Sequence, residues 1–342
     1  MTGLNRAARV LFTMILAAAM LSGCAAAGSQ PVERANVFAL KGPTGIGMVQ
    51  MISNPGEQWS FTLAGSPDEI VAAIASGSAD IAAAPTNLAA TLYNRLNGGV
   101  EIIALNTLGV LHILERGDSV RSVSDLEGRT IYATGQGATP EYAARYILDR
   151  AGVNASLEFK GEHSELAALA AADEVDLVML PEPFATSLQT QNPSWRRALD
   201  VTELFDEAVS STNHPDAALS MGCVIARREF VEQHPQAVES FLEAHRQSVE
   251  FVLANPEEAA RLTEETGLMP SAAVVLKALP GTNITFISGP ELRGRVEPFF
   301  QILFDANPAA VGGAMPGEDF YYGSNGSSGT NGSNGSNGSN GD

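Results

Sequence analysis

Hydrophobic positions along the chain form short all-apolar runs separated by stretches of helical spacing. Val37-Phe38-Ala39-Leu40, Ile81-Ala82-Ala83-Ala84, Ile131-Tyr132-Ala133 and Leu177-Val178-Met179-Leu180 read as strands buried on both faces. Between them the pattern repeats itself. Asp68 through Pro85 returns at an offset of 96 residues as Ser164 through Pro181, in register at Glu69/Glu165, Ala72/Ala168, Asp80/Asp176 and Pro85/Pro181. Each copy predicts a polar cap and a Glu opening a short helix, a turn carrying Asp, and a strand ending at a proline; Ser66 is the cap of the first copy. Each is preceded by a strand, a glycine loop and a further helix. The loops are Lys41 to Gly47 and Thr134 to Thr139; the helices are expected from about Met48 to Ile52, and from Pro140 with Thr139 as cap and Gly152 as stop. Strand, loop, helix, strand, helix, strand is the order of a parallel sheet flanked by helices, and two such units predict two α/β lobes.

Two longer apolar stretches, Ile102–Leu114 and Ala217–Ala226, are expected to carry the chain from lobe one to lobe two and back. Beyond Glu229 the pattern turns helical, with Val238, Phe241, Leu242, Val249 and Val252 on one face of a helix from Pro235 to Leu253. Further helices start at Pro256 and Pro290. The expected division is lobe one at 35–108 and 222–318, with lobe two at 112–218.

Composition narrows the function. The 342 residues carry 20 Lys+Arg against 39 Asp+Glu, a net charge of −19, which disfavours nucleic acid as a partner. Arg6 and Arg9 precede the apolar run Val10–Met20, a secretory leader too short for a membrane span. Its end, Leu21-Ser22-Gly23-Cys24, resembles the bacterial lipobox, which implies cleavage after residue 23 and a diacylglyceryl thioether on Cys24. Residues 24–34 then form a small-residue tether, and residues 323–342, almost wholly Gly, Ser and Asn, are expected to be a disordered tail. With Cys24 lipidated, Cys223 has no pairing partner and reads as a buried thiol.

Ligands of open α/β sheets lie beyond the carboxyl ends of the strands, which makes the loop tips the candidate site. In lobe one these are Gly42, Pro43, Thr44 and Gly45, the cap residue Ser66, and Pro85, Thr86 and Asn87. In lobe two they are Gly135, Gln136, Gly137, Thr139, Pro181 and Glu182. Gly42 to Gly47 lacks both the Gly-Lys-Ser/Thr ending of a phosphate loop and the spacing of a dinucleotide fingerprint. There is no Gly-x-Ser-x-Gly elbow and no His-Glu-x-x-His, and the five histidines are scattered, so no catalytic residue, metal site or cofactor is expected. His245 falls on the apolar side of its helix, where a hydrogen-bonded core histidine is the expectation.

The lipobox, the two lobes with a double crossover, and the segments Ser76-Gly77-Ser78-Ala79-Asp80-Ile81-Ala82 and Glu174 to Pro183 look like those of a solute-binding lipoprotein of a bacterial ABC importer. Closest in pattern is the group handling nitrate, alkylsulfonates and thiamine-pyrimidine precursors, and the resemblance spans about Val37 to Phe304. It implies a type II periplasmic-binding fold whose C-terminal helices lie on lobe one, and a small organic solute held between the lobes. It also implies delivery by the closed form to permease subunits, a monomer, and a lipid-anchored place on the extracytoplasmic face of a membrane. Lys41 is the one cation near the loop tips, which leans toward a neutral or weakly charged heterocycle. The same fold also implies two alternatives: an enzyme resembling a thiamine-pyrimidine synthase, and a ligand-sensing lipoprotein.

Overall fold

The computed structural model describes residues 34–323. The leader (1–23), Cys24 and the tether up to residue 33, and the tail from residue 324 lie outside the described residues. Eleven strands form two mixed sheets. The first contains β1 (Ala35–Leu40), β2 (Trp59–Ala64), β3 (Ile81–Pro85), β4 (Val100–Thr107), β10 (Gly222–Arg227) and β11 (Ile284–Ile287), in the order β11-β4-β10-β3-β1-β2. The second contains β5 (Leu111–Arg116), β6 (Thr130–Thr134), β7 (Ser156–Lys160), β8 (Leu177–Pro181) and β9 (Trp195–Asp200), in the order β7-β6-β8-β5-β9. The chain thus folds into two α/β lobes, one around each sheet.

The expected parallel sheets are parallel only in part. β1 runs parallel to β2 and β3, and β6 to β7 and β8. β10 is antiparallel to both β3 and β4, and β5 to both β8 and β9. The cause is connectivity: β5 and β10 enter their sheets directly from the other lobe, without the helix that returns a chain to the starting edge for parallel pairing. Sequence order hides this, because each inserted strand belongs to the lobe opposite its predecessor.

The 96-residue offset reaches further than the two short segments that first display it. β3 at 81–85 maps onto β8 at 177–181, and the helix Pro67–Ser76 onto His163–Ala171. The caps Gly42 and Ala138 also match. In both lobes the central strand is wholly buried, IAAAP in one and LVMLP in the other. Alanine at 82–84 lets helices approach closely on both faces.

The first crossover is only residues 108–110, flanked by β4 and β5, so most of the long apolar stretch is strand. In the second, residues 217–221 form the irregular passage and β10 begins at Gly222. The helix Pro235–Ala254 buries Val238, Phe241, Leu242, Val249 and Val252 as its spacing predicts. Phe241 meets Trp59 edge to face at 5.6 Å, and each such buried side chain contributes about 1.5–3 kcal/mol. The last long helix, Pro290–Ala306, also reaches lobe two, where Phe299 packs 5.8 Å from Phe205. His245 is buried on its helix as expected, but neither ring nitrogen has a hydrogen-bond partner, contrary to the expectation of a hydrogen-bonded histidine.

Candidate functional site

The carboxyl ends of the parallel strands in both sheets converge on one cavity between the lobes. Leu40, Pro43, Thr44 and Pro85 face it from lobe one, and Thr134, Gly135, Pro140 and Pro181 from lobe two, with Val110, Leu111 and Met221 of the crossover region at its base. Gly65 and Gly161, one repeat apart, both line it, as do Pro67 and His163. Its free volume is about 50 Å³, room for a few water molecules, so the lobes stand close together. It continues outward into a hollow of about 330 Å³ bordered by Lys41, Glu162, Phe184, Leu268 and Met269.

Local backbone explains the shape of the rim. Gly42 has φ 106° and precedes the short helix Pro43–Ile46. A Cβ at this position would meet the Phe184 ring of the opposite lobe at 3.4 Å, an ordinary contact, so it is the positive φ of the turn that favours glycine.

Of the residues expected at the site, Pro43, Thr44, Pro85, Gly135 and Pro181 stand on the cavity wall. Gly42 and Gly45 lie buried behind it, and Ser66 holds the N-cap position of the helix Pro67–Ser76 without a side-chain cap bond, its hydroxyl donating to Glu69 instead. Gln136 and Gly137 are exposed at the rim. Asn87 and Thr139 have no solvent exposure and face each other. Thr139 Oγ1 accepts from Asn87 N at 3.3 Å and donates to Asn87 Oδ1 at 3.2 Å, while Asn87 Nδ2 donates to Gly137 O and Ala310 O, both at 3.1 Å. Thr139 therefore does not cap its own helix; Ala138 holds that position and the hydroxyl serves the other lobe.

Thr86 and Glu182 are equivalent positions of the two repeats and differ in chemistry. The Thr86 hydroxyl is buried beside Cys223, whose thiol is pushed up by burial. In lobe two the matching pair is Glu182 and His112, 3.8 Å apart. Glu182 is fully buried, pairs with Arg197, and accepts from Thr186 N at 3.1 Å. Burial, and then the Arg197 charge, holds the His112 imidazole below its usual range.

His163 is the site residue that loop-tip reasoning missed. Its Nδ1 lies 2.5 Å from Thr134 Oγ1 and its ring is tilted 41° against Phe184 at 5.0 Å. Burial pushes its pKa down to about 4, which leaves the ring uncharged at neutral pH. The 96-residue offset pairs it with Pro67 and could have found it.

The sequence profile of the family described as NMT1/THI5 like matches residues 62–259, more than half of the chain. The chain belongs to the NMT1/THI5-like family. A Brucella abortus protein described as a binding protein is 23% identical over 196 residues, covering 57% of this chain and 58% of its own length. The match thus spans little more than half of the curated relatives.

Solved structures extend the similarity of fold over most of the chain. An ABC transporter protein from Parabacteroides distasonis aligns with a TM-score of 0.70 at 23% identity, covering 84% of this chain and 98% of its own. The alkanesulfonate-binding protein SsuA of Xanthomonas axonopodis pv. citri, bound to MOPS, aligns with 0.65 at 15%, covering 85% and 96%. A Candida albicans protein with the generic periplasmic binding protein fold aligns with 0.56 at 13%, covering 84% and 92%. Among the described residues, no helix is long and apolar enough to cross a membrane.

Proposed function

We propose that this protein is an extracytoplasmic solute-binding lipoprotein that captures a small organic solute between its lobes and delivers it to the permease of an ABC importer. The observation that carries this reading is the cavity itself, which is walled by strand ends of both sheets and bridged by Asn87 and Thr139. A cleft shared by two lobes is bound better closed than open, and that difference in affinity converts occupancy into a shape a permease can recognise. Membership of the NMT1/THI5-like family and the fold shared with binding proteins of import systems support it. The reading involves binding without turnover, by a monomer.

Solute contacts are assigned to Thr44, Gly135 and the wall prolines, with Ser66, Gln136 and Gly137 at the rim. Asn87 and Thr139 contribute through closure. Lipid on Cys24 would hold the protein at the membrane, two acyl chains giving stable anchoring at about 0.8 kcal/mol per buried CH₂. Cys24→Ser should abolish palmitate labelling and leave solute affinity intact.

Thermal-shift screening of a metabolite library tests capture, since a solute at 100 times its Kd adds about 2.7 kcal/mol of stability. A stabilising compound recovered unchanged after long incubation supports the proposal. Conversion of that compound by the pure protein overturns it in favour of the enzyme reading.

A further inference from the structure

A second conclusion rests on solute capture in this cleft and concerns the charge of what is captured. Helix N-termini are the anion-binding elements this architecture offers, through unpaired N–H groups and the positive end of the helix dipole. Here a first-turn glutamate stands at three of them, each turned back to the residue just ahead of its helix cap. Glu69 Oε1 accepts from Gly65 N and from Ser66 Oγ, both at 3.3 Å. Glu165 Oε2 accepts from Gly161 N at 3.1 Å, and Glu141 Oε2 from Gly137 N at 2.7 Å. The first turns of three of these helices also carry Pro43, Pro67 and Pro140, which have no N–H to give. Three carboxylates therefore stand where an anionic solute would need donors.

Charged side chains do not reverse this balance. The cavity wall carries one cation, Lys41 from lobe one, and one carboxylate, Glu162 from lobe two, both exposed at the mouth. Arg197, beside Glu182, is already bound to that carboxylate and to Thr186 Oγ1. A net charge on a solute in this mostly apolar cavity would be left uncompensated, which is costly for either sign.

We propose that the cleft selects an uncharged, compact solute and that His163 is the residue that reads it. Thr134 Oγ1 takes the Nδ1 side of the ring and Phe184 packs against its face, which fixes the imidazole and leaves Nε2 to serve the solute. A neutral imidazole supplies one hydrogen bond and no charge, matching a polar group on an otherwise apolar molecule. Nitrate and sulfonates are excluded on this account.

Small probes of different charge, with benzamide, benzoate and benzamidine matched in shape, test the proposal on the full processed chain by calorimetry. The uncharged set is benzamide, nicotinamide and pyrimidine; the anions are benzoate, benzenesulfonate and nitrate; the cation is benzamidine. The expected result is binding of at least one uncharged probe at least about tenfold tighter than any charged one. His163→Ala should weaken that binding about tenfold with an unchanged circular dichroism spectrum, and His163→Asn, which keeps a hydrogen-bonding group, should recover part of it. Equal or tighter binding of an anion or of benzamidine overturns the charge class and leaves solute capture standing. Wild-type affinity in His163→Ala overturns the role of the histidine. Absence of binding by every probe and by every compound of the metabolite library overturns capture and this proposal together.

Discussion

Asn87 and Thr139 hold each other across the cleft, each with no solvent exposure, through hydrogen bonds of 3.3 and 3.2 Å. Two residues expected at the solute site are paired with one another where the lobes touch. Asn87→Ala leaves Gly137 O and Ala310 O without their side-chain donor, a loss of about 1–3 kcal/mol. Its melting temperature should fall, and small-angle scattering of the solute-free protein should show a larger radius of gyration. Asn87→Asp should be worse than alanine at neutral pH, because it buries a carboxylate against two carbonyl oxygens.

Gly109 in the first crossover lies against Thr202 of lobe two. A Cβ there would sit 2.6 Å from Thr202 Cγ2 and 2.9 Å from Thr202 Cβ, and a side chain this short cannot swing aside. Asn283 Nδ2 also donates to Gly109 O, so the crossover is clamped from lobe one as well. Gly109→Ala should cost about 1–3 kcal/mol in chemical denaturation, and adding Thr202→Gly should restore part of the loss. Full stability in Gly109→Ala would show that the crossover is slack.

Acid should unfold the protein partly through His245. Burial lowers its pKa from an ordinary 6.5 to about 3, so the folded state keeps the ring neutral while the unfolded chain protonates it. The stabilisation is complete above about pH 6.5 and is lost as the pH falls toward 3, at up to about 1.4 kcal/mol per pH unit. His245→Leu should flatten the stability profile in that window, measured by urea denaturation at stepped pH. An unchanged slope between pH 6 and 4 would assign the acid sensitivity to other groups.

Cys223 is fully buried, and burial pushes its thiol well above the usual range. The thiolate is the reactive form, so maleimide should label this residue slowly in the native protein and rapidly in denaturant. A bound solute should slow native labelling further, because it opposes the opening that exposes β10.

Lobe architecture was legible in the sequence because it rests on short-range regularities. Strand runs such as Leu177–Leu180 are buried on both faces, the prolines and Gly152 punctuate helices through their own backbone chemistry, and the 96-residue echo repeats one packing solution. The helix from Pro235 could be read almost to its end, since 3.6-residue spacing is a property of one segment.

Strand direction and site chemistry could not be read in that way, because both depend on which distant residues become neighbours. Antiparallel β5 and β10 follow from the chain exchanging lobes at residues 108–110 and 217–221. Thr139 has the residue type of a helix cap, yet its hydroxyl is claimed by Asn87, 52 positions earlier, since burial of both makes that bond the more valuable one. Glu182 looks like a solvated loop carboxylate until Arg197 and His112 close over it. His163 has no local signature; only in the fold do Thr134 and Phe184 meet its half-buried ring and orient it on the cleft wall.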